Sequence, residues 1–325
     1  MYKKVGLLGL YCESPVHAGS GSDLGIVDLP IQREKSTQYP IFQASTLKGA
    51  LRESFESKRA IKNSLKNGVF DSFNINSSKE DSLKEAINLI FGHEDNQAAS
   101  AITFTDARTL LFPVKSAKNV FSWVTCPSVL SRLKRDLDIA NIEYDWEIPK
   151  INKEAVISEK LSLDEYSEDK VVLEEYTFDV SKDSQVEKIA NWINKNVISP
   201  EDNYWQEKLE EDLIILNDED FEDFVTMSTE VQARIKIDNE TKTVAPGALW
   251  YEENLPAESV LYSLVMTTDV LVKEKAEKAI DLDKAEDIIR FFNEGLQGRI
   301  QLGGNETIGK GIIKTNLVEG GETSD

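Results

Sequence analysis

Four groups of residues in this 325-residue chain have the types and spacing to handle a polyanion. The first is His17-Ala-Gly-Ser-Gly21, a small-residue loop carrying one of only two histidines. The second is Gly25-Ile-Val-Asp28-Leu-Pro-Ile-Gln-Arg33-Glu34, where one carboxylate stands alone between apolar neighbours. The third, Ser45-Thr46-Leu-Lys48-Gly-Ala-Leu-Arg52, is a basic helix start rich in hydroxyls. The fourth is the loop Gly303-Gly304-Asn-Glu-Thr-Ile-Gly-Lys310-Gly311. Glycine loops and helix starts present backbone N–H groups to phosphate oxygens, and Lys or Arg adds opposite charge. Asp28 sits between two such groups. Its chemistry suits a general base toward a ribose hydroxyl, a ligand for a divalent ion, or a simple loop cap.

Other candidates carry paired readings. His17 can orient a substrate, shuttle a proton near neutral pH, or make a loop hydrogen bond. His93, after Phe91-Gly92, suits a helix-end cap. Arg52 and Arg108 suit phosphate contacts or surface ion pairs. In Trp250-Tyr-Glu252-Glu253, Glu252 can support a reacting centre or sit on a solvated face, and Asp106 can orient Arg108. The 303–311 loop lacks the Gly-Lys-Ser/Thr ending of a Walker phosphate loop. Cys12 and Cys126 make neither a disulfide framework nor a zinc motif.

Charge first argues against nucleic acid, because 37 basic and 58 acidic residues leave a net −21. The distribution is uneven. Residues 151–220 hold 20 acidic and 7 basic residues, whereas 101–135 hold 6 basic residues against Asp106 alone. Either an acidic insertion over about 138–220 masks a neutral-to-basic body or the run is an ordinary solvated charged face; in both cases direct continuous phosphate contact along it is unfavourable. The run Val5–Leu10 is too short for a bilayer span of ~20 residues and has no cleavage region after it. It is expected to be a core strand, and the protein to be cytoplasmic.

The elements positioning these residues read as α+β with an antiparallel sheet. Strands are expected at 3–12, 39–42, 101–105, 109–112, 231–237, 260–270 and 299–302. Helices are expected at 47–59 (capped by Ser45 or Thr46), 80–91, from Ser128, at 183–196 and at 275–293. Residues 243–247 are expected to turn, and 318–325 to form a frayed polar tail.

Together the motifs resemble the repeated backbone subunit of the Cmr-type (type III-B) CRISPR interference complex, within the RAMP superfamily. The matching pieces are His17–Gly21, Gly25–Glu34, Ser45–Arg52, Phe104-Thr-Asp-Ala-Arg108, Ala248–Glu253 and Gly303–Gly311, spread over nearly the full length. The resemblance implies one domain over 1–325, a modified RNA-recognition (ferredoxin-like) fold with inserted thumb and lid-like elements. It implies a filament of copies along a CRISPR guide RNA, with other Cmr subunits, that either cuts complementary target RNA or serves as a noncatalytic scaffold. Asp28 matches the family's catalytic aspartate, with His17 and either Glu252 or Glu253 in neighbouring motifs. Ser45, Thr46, Lys48, Arg52, Arg108, Gly303, Gly304 and Lys310 are the expected RNA contacts. Cleavage by the target's own 2′-hydroxyl, with Mg²⁺ or Mn²⁺ held partly by Asp28, is the expected chemistry; no organic cofactor and no membrane are implied.

Overall fold

A computed structural model describes residues 2–22, 25, 27–75, 80–93, 99–161, 169–198, 203–270, 282–296 and 298–322. The chain opens with β1 (Lys4–Cys12), β2 (Ile41–Phe42), α1 (Ala44–Glu56), α2 (Lys58–Lys66) and α3 (Glu80–Phe91). It continues through β3 (Ile102–Phe104), β4 (Ala107–Lys115), β5 (Phe121–Thr125), α4 (Pro127–Ala140), β6 (Ala155–Ile157), β7 (Lys170–Leu173) and β8 (Tyr176–Lys182). Then come α5 (Ser184–Ile193), α6 (Asn203–Asp212), β9 (Leu213–Leu216), α7 (Asp218–Met227), β10 (Glu230–Ile237) and β11 (Val244–Asn254). The last elements are β12 (Val260–Thr267), α8 (Ala285–Gly295), β13 (Arg299–Gln301) and β14 (Ile312–Glu322).

Twelve strands share one sheet, with the path β13-β14-β1-β12-β4-β5-β9-β6-β8-β7; β2 joins β4, and β3 joins β12. Pairing is antiparallel except at β5–β9 and β6–β8, so the sheet is α+β as expected, with two parallel joints. β1 lies inside it, between β12 and β14. Its Leu7, Leu8 and Leu10 are fully buried, so both faces are covered, and the apolar run shows no alternation. Gly6 faces Ile289 of α8 on one side, and Gly9 faces Val197, in the π-turn 194–198 that prolongs α5, on the other. On the α8 side, Phe55, Phe70, Phe91, Phe291 and Phe292 stack between α1, α3 and α8, with Phe70 and Phe291 centroids 4.2 Å apart. Each such ring, removed from water, contributes about 1.5–3 kcal/mol.

The acidic stretch over about 138–220 carries part of the sheet. It supplies β6 to β9 to one end of the same sheet, and Leu213–Leu216 are fully buried there. Several expected boundaries move. The helix expected at 47–59 begins at Ala44 and ends at Glu56; Ser57 then starts α2 by accepting the Ala60 N–H. Neither Ser45 nor Thr46 caps α1, because Asp106 Oδ1, at 2.8 Å, takes the Ala44 N–H. Residues 244–247 belong to β11 rather than to a turn. Residues 282–284 are not helical, and α8 starts at Ala285, whose N–H reaches Asp269 Oδ1; 275–281 lie outside the described residues. The expected tail is strand through Glu322, with Val318 opposite Leu7; 323–325 lie outside the described residues.

β10 and β11 form a separate two-stranded sheet, the thumb-like hairpin. Its alternation is inverted. Val231, Ile235, Leu249 and Tyr251 are exposed on one face, with Ala233 opposite Tyr251 and Ile235 opposite Leu249. Gln232, Arg234 and Glu252 face the body of the protein instead, where Lys310 meets two of them. Among the described residues no helix is long and apolar enough to cross a membrane.

Candidate RNA-cleavage site

One strand edge organises the site. Successive residues of a strand point their N–H and C=O groups to opposite edges, so residues 251, 253 and 255 of the 244–255 segment share one edge. Two pieces of N-terminal chain fill it. Val16 exchanges both backbone bonds with Leu255, each 2.9 Å. Leu29 N–H donates to Tyr251 O at 3.1 Å and Leu29 O accepts from Glu253 N at 3.0 Å. The two groups left over are met by side chains. Asp28 Oδ2 accepts the Tyr251 N–H at 2.7 Å, and His17 Nδ1 lies 2.7 Å from Glu253 O. A carbonyl only accepts, so Nδ1 carries the proton and Nε2 is the ring nitrogen left for other chemistry. Asp28 is exposed, and no hydrogen bond among the described residues takes its second carboxylate oxygen. Asp28 and His17 are thus fixed to positions 251 and 253 of one strand, about 7 Å apart along it.

The glycine loop serves the histidine. Gly304 N–H donates to His17 O at 3.0 Å. Gly303 has φ +86°, and a Cβ there would lie 2.5 Å from His17 O, so only glycine fits. Gly304's N–H is therefore already used, which corrects the expectation that it contacts phosphate.

The two glutamates on β11 are structural. Glu253 is buried; its carboxylate accepts the Ile31 N–H at 3.0 Å and the Thr229 hydroxyl at 2.7 Å and pairs with Arg33 at 2.5 Å. Arg33 also donates to Gln38 O and Val225 O. The glutamate thereby pins the loop that carries Asp28. Glu252 is buried with Lys310 Nζ at 3.0 Å and Asn305 Nδ2 at 2.9 Å. Burial pushes its carboxyl pKa up, but the bonds from Lys310 and Asn305 and the nearby His17 outweigh this and hold it below the usual range. The expected catalytic Glu252 is thus an internal ion-pair partner. Lys310 is corrected likewise: it is 6% exposed, and its ammonium spends its three donors on Glu252, Asn254 Oδ1 (2.7 Å) and Gln232 Oε1 (3.1 Å).

On α1, Lys48 and Arg52 also turn inward. Lys48 Nζ donates to Ser100 Oγ at 2.8 Å, and burial followed by the charge of Arg52 lowers its pKa. Arg52 donates to Gly92 O and Asn88 Oδ1 and pairs with Glu56. The start of α1 stays open. Leu47 is the first amide to reach a backbone carbonyl, Gln43 O, and Asp106 takes that of Ala44. The N–H groups of Ser45 and Thr46 between them have no acceptor among the described residues, as expected of an anion-binding helix start. Gln32 ties this start to the histidine loop: its amide bonds Thr46 Oγ1 (2.9 Å) and Gly19 O (3.2 Å) and accepts the Gln43 N–H (2.7 Å). Arg108 is half-buried beside Glu34 and Asp136. Among the described residues no group of three or more His, Cys, Asp or Glu side chains could hold a metal. Asp28 and Glu252 each keep one carboxylate oxygen without a hydrogen bond among the described residues, since all of Glu252's bonds fall on Oε1, and those residues make no resident metal cage.

Sequence reasoning did not find Glu253 as the clamp, nor Gln32 and Asp106 as supports. The one available signal was the polar pair Gln32-Arg33 inside an otherwise apolar loop, which implies buried partners elsewhere.

A family profile described as the RAMP superfamily matches residues 10–314. The "CRISPR system Cmr endoribonuclease Cmr4" of Pyrococcus furiosus is 37% identical over 321 residues, covering 97% of this chain and 96% of that protein. The crystal structure of oligomeric Cmr4 from the same organism superposes with TM-score 0.69 at 31% identity, covering 98% of this chain and 99% of that one. A type III-B Cmr-beta complex bound to cognate target RNA shares the fold, with TM-score 0.67 at 22% identity over 97% of this chain and 98% of its own. The chain belongs to the RAMP superfamily and, within it, to the Cmr4 family.

Proposed function

We propose that this protein is an endoribonuclease that cuts RNA paired to a guide, acting as the repeated backbone subunit of a cytoplasmic Cmr complex. Its partners in this reading are a CRISPR guide RNA, complementary target RNA, further copies of itself and other Cmr subunits. The observation that carries it is the placement of Asp28: an exposed carboxylate, held through one oxygen by the Tyr251 N–H, on the strand edge that also holds His17.

The reaction is transesterification. The target's 2′-oxygen attacks the adjacent phosphorus, the P–O5′ bond breaks, and a 2′,3′-cyclic phosphate and a 5′-hydroxyl result. Asp28 takes the 2′-hydroxyl proton, and water, or His17 through Nε2 when that nitrogen is protonated as well as Nδ1, returns one to the departing 5′-oxygen. General-base assistance of this kind contributes about 10²–10⁴-fold, and in-line positioning of the displaced nucleotide supplies much of the rest. Glu253 acts as a positioning residue through Ile31 and Arg33. The divalent ion expected from the sequence would, in this reading, be held by RNA phosphates and stabilise charge there, and Asp28 would be its protein ligand only in place of acting as the base.

The test compares Asp28→Ala and Asp28→Asn in guide-loaded complexes offered labelled complementary RNA. The amide of the Asn variant still accepts the Tyr251 N–H, so the local fold is kept while the base is lost. Both should assemble and bind target yet fall at least 100-fold in cleavage. Cleavage above a tenth of the unaltered rate in a well-assembled Asn variant overturns the assignment and leaves the scaffold reading.

A further inference from the structure

A basic cleft lies beside α1 and adjoins the hairpin edge through Arg33, which lines it and pairs with Glu253. Lys35, Arg108, Arg132 and Arg135, with Glu34 and Asp106, line a cleft of about 430 Å³. It is conspicuous in a chain of net charge −21. Three separate elements supply the cations: the turn after Arg33, the start of β4, and one face of α4, where Arg132 and Arg135 are three residues apart.

Two of the three carboxylates, Glu34 and Asp136, are bonded to the cations, while Asp106 is exposed at the rim of the cleft. Glu34 accepts two bonds from Arg132, at 3.1 and 2.9 Å. The Asp106 carboxylate is bound to the Ala44 N–H. Buried Asp136 accepts from Tyr262 OH at 3.0 Å, Arg108 NH1 at 3.4 Å and Arg135 Nε at 3.3 Å. Glu34 and Asp136 thereby orient the guanidinium groups of Arg108, Arg132 and Arg135. Arg135 uses only its Nε in this, and its side chain is 59% exposed, so both terminal nitrogens face outward. Lys35 is exposed as well. Preoriented guanidinium forks facing out over spent carboxylates fit phosphate oxygens better than a carboxylate-rich protein surface. Asp106 also joins this cleft to α1, whose Ser45 and Thr46 N–H groups open nearby.

We propose that this cleft binds the phosphodiester backbone of RNA, extending the phosphate track from the start of α1 onto α4. The inference rests on the proposed function only in that RNA is the ligand; it needs no cleavage.

The experiment uses the full chain and fluorescence anisotropy with a synthetic single-stranded RNA across a salt titration. Each lost phosphate contact on a single strand lowers the slope of log K against log salt by about 0.7, equivalent to about fourfold in affinity at ~0.15 M salt. The double variant Lys35→Ala/Arg135→Ala, whose side chains are exposed, should lower the slope by about 1.4 and weaken binding about 14-fold. Lys35→Arg/Arg135→Lys should restore the slope. In assembled complexes, loss of co-purifying guide assigns the cleft to the guide strand, and loss of target capture with guide retained assigns it to the target. Normal binding and slope in the folded double alanine variant overturn the cleft while leaving the proposed function standing. Weakened association between copies with RNA binding intact overturns it in favour of a protein partner. Failure of the unaltered chain to bind RNA overturns both.

Discussion

Glu253→Gln tests whether the carboxylate clamp, rather than Asp28 alone, sets the catalytic geometry. The side chains of Arg33 and Glu253 are 15% and 6% exposed, so the pair is well removed from water. The amide keeps one acceptor for the Ile31 N–H but removes the charge opposing Arg33 and turns an NH₂ toward donors. Breaking a buried pair from one side costs about 3–5 kcal/mol; Arg33 keeps its bonds to Gln38 O and Val225 O, which places the loss near the lower end, about 3 kcal/mol. For 325 residues the unfolding entropy is about 0.7 kcal/mol/K, so Tm should fall by about 4 °C. The loop from Asp28 to Arg33 loses its anchor at Ile31, and a shift of about 1 Å in a reacting group costs about 100-fold. Single-turnover cleavage of labelled target by the guide-loaded complex, well below Tm, should therefore drop about 100-fold, with target affinity unchanged. Cleavage within threefold of the unaltered protein, despite the lowered Tm, would refute the clamp.

Three further outcomes follow from the same geometry. Lys310→Met should lower stability by about 3–5 kcal/mol, because it leaves Glu252 charged and buried, while the salt slope of RNA binding stays unchanged; a shallower slope at full stability would restore Lys310 as a phosphate contact. Burial raises the Glu258 carboxyl from 4.5 to about 7, so the folded protein holds this proton more tightly than the unfolded chain. Its contribution is fully present below pH 4.5 and is lost as pH rises through about 7; Glu258→Gln should flatten this part of the Tm profile between pH 5 and 8, and an unaltered profile would contradict it. Exhaustive chelation should abolish cleavage but not RNA binding, with Mg²⁺ or Mn²⁺ restoring it; full cleavage without a divalent ion would assign the chemistry to protein groups alone.

Much of the fold could be read directly from the sequence. The apolar run of β1 and the periodicity of α3 and α4 report burial through nearest neighbours along the chain, whereas the alternation in β10 gives the strand but not its buried face. The errors share a cause. Leu213-Ile-Ile-Leu216 follows α6 without a break, and four apolar residues do not separate strand from helix. The polar run 318–325 reads as a frayed end, yet a Cβ at Gly320 would lie 1.8 Å from Ala140 O, so the glycine is required where α4 ends against β14. In the site, motif composition brought together His17, Asp28 and the start of α1. The roles of the charged residues were not legible, because Arg33 and Glu253 are 220 positions apart and Lys310 and Glu252 are 58 apart. Spacing cannot tell a lysine aimed at solvent from one aimed at a distant glutamate.

The hairpin has a mechanical consequence. Asp28 and His17 are bonded to the backbone of β11, whose far end belongs to a ribbon with an apolar outer face. The ribbon is therefore a lever, with its fulcrum at the buried Glu252–Lys310 and Glu253–Arg33 pairs. Whatever seats against Val231, Ile235 and Leu249 loads the long arm, and the carboxylate rides on the short one. Cutting geometry is thus inherited from how the ribbon is held, and a chain with its ribbon unsupported lacks the bracing that fixes where the carboxylate stands.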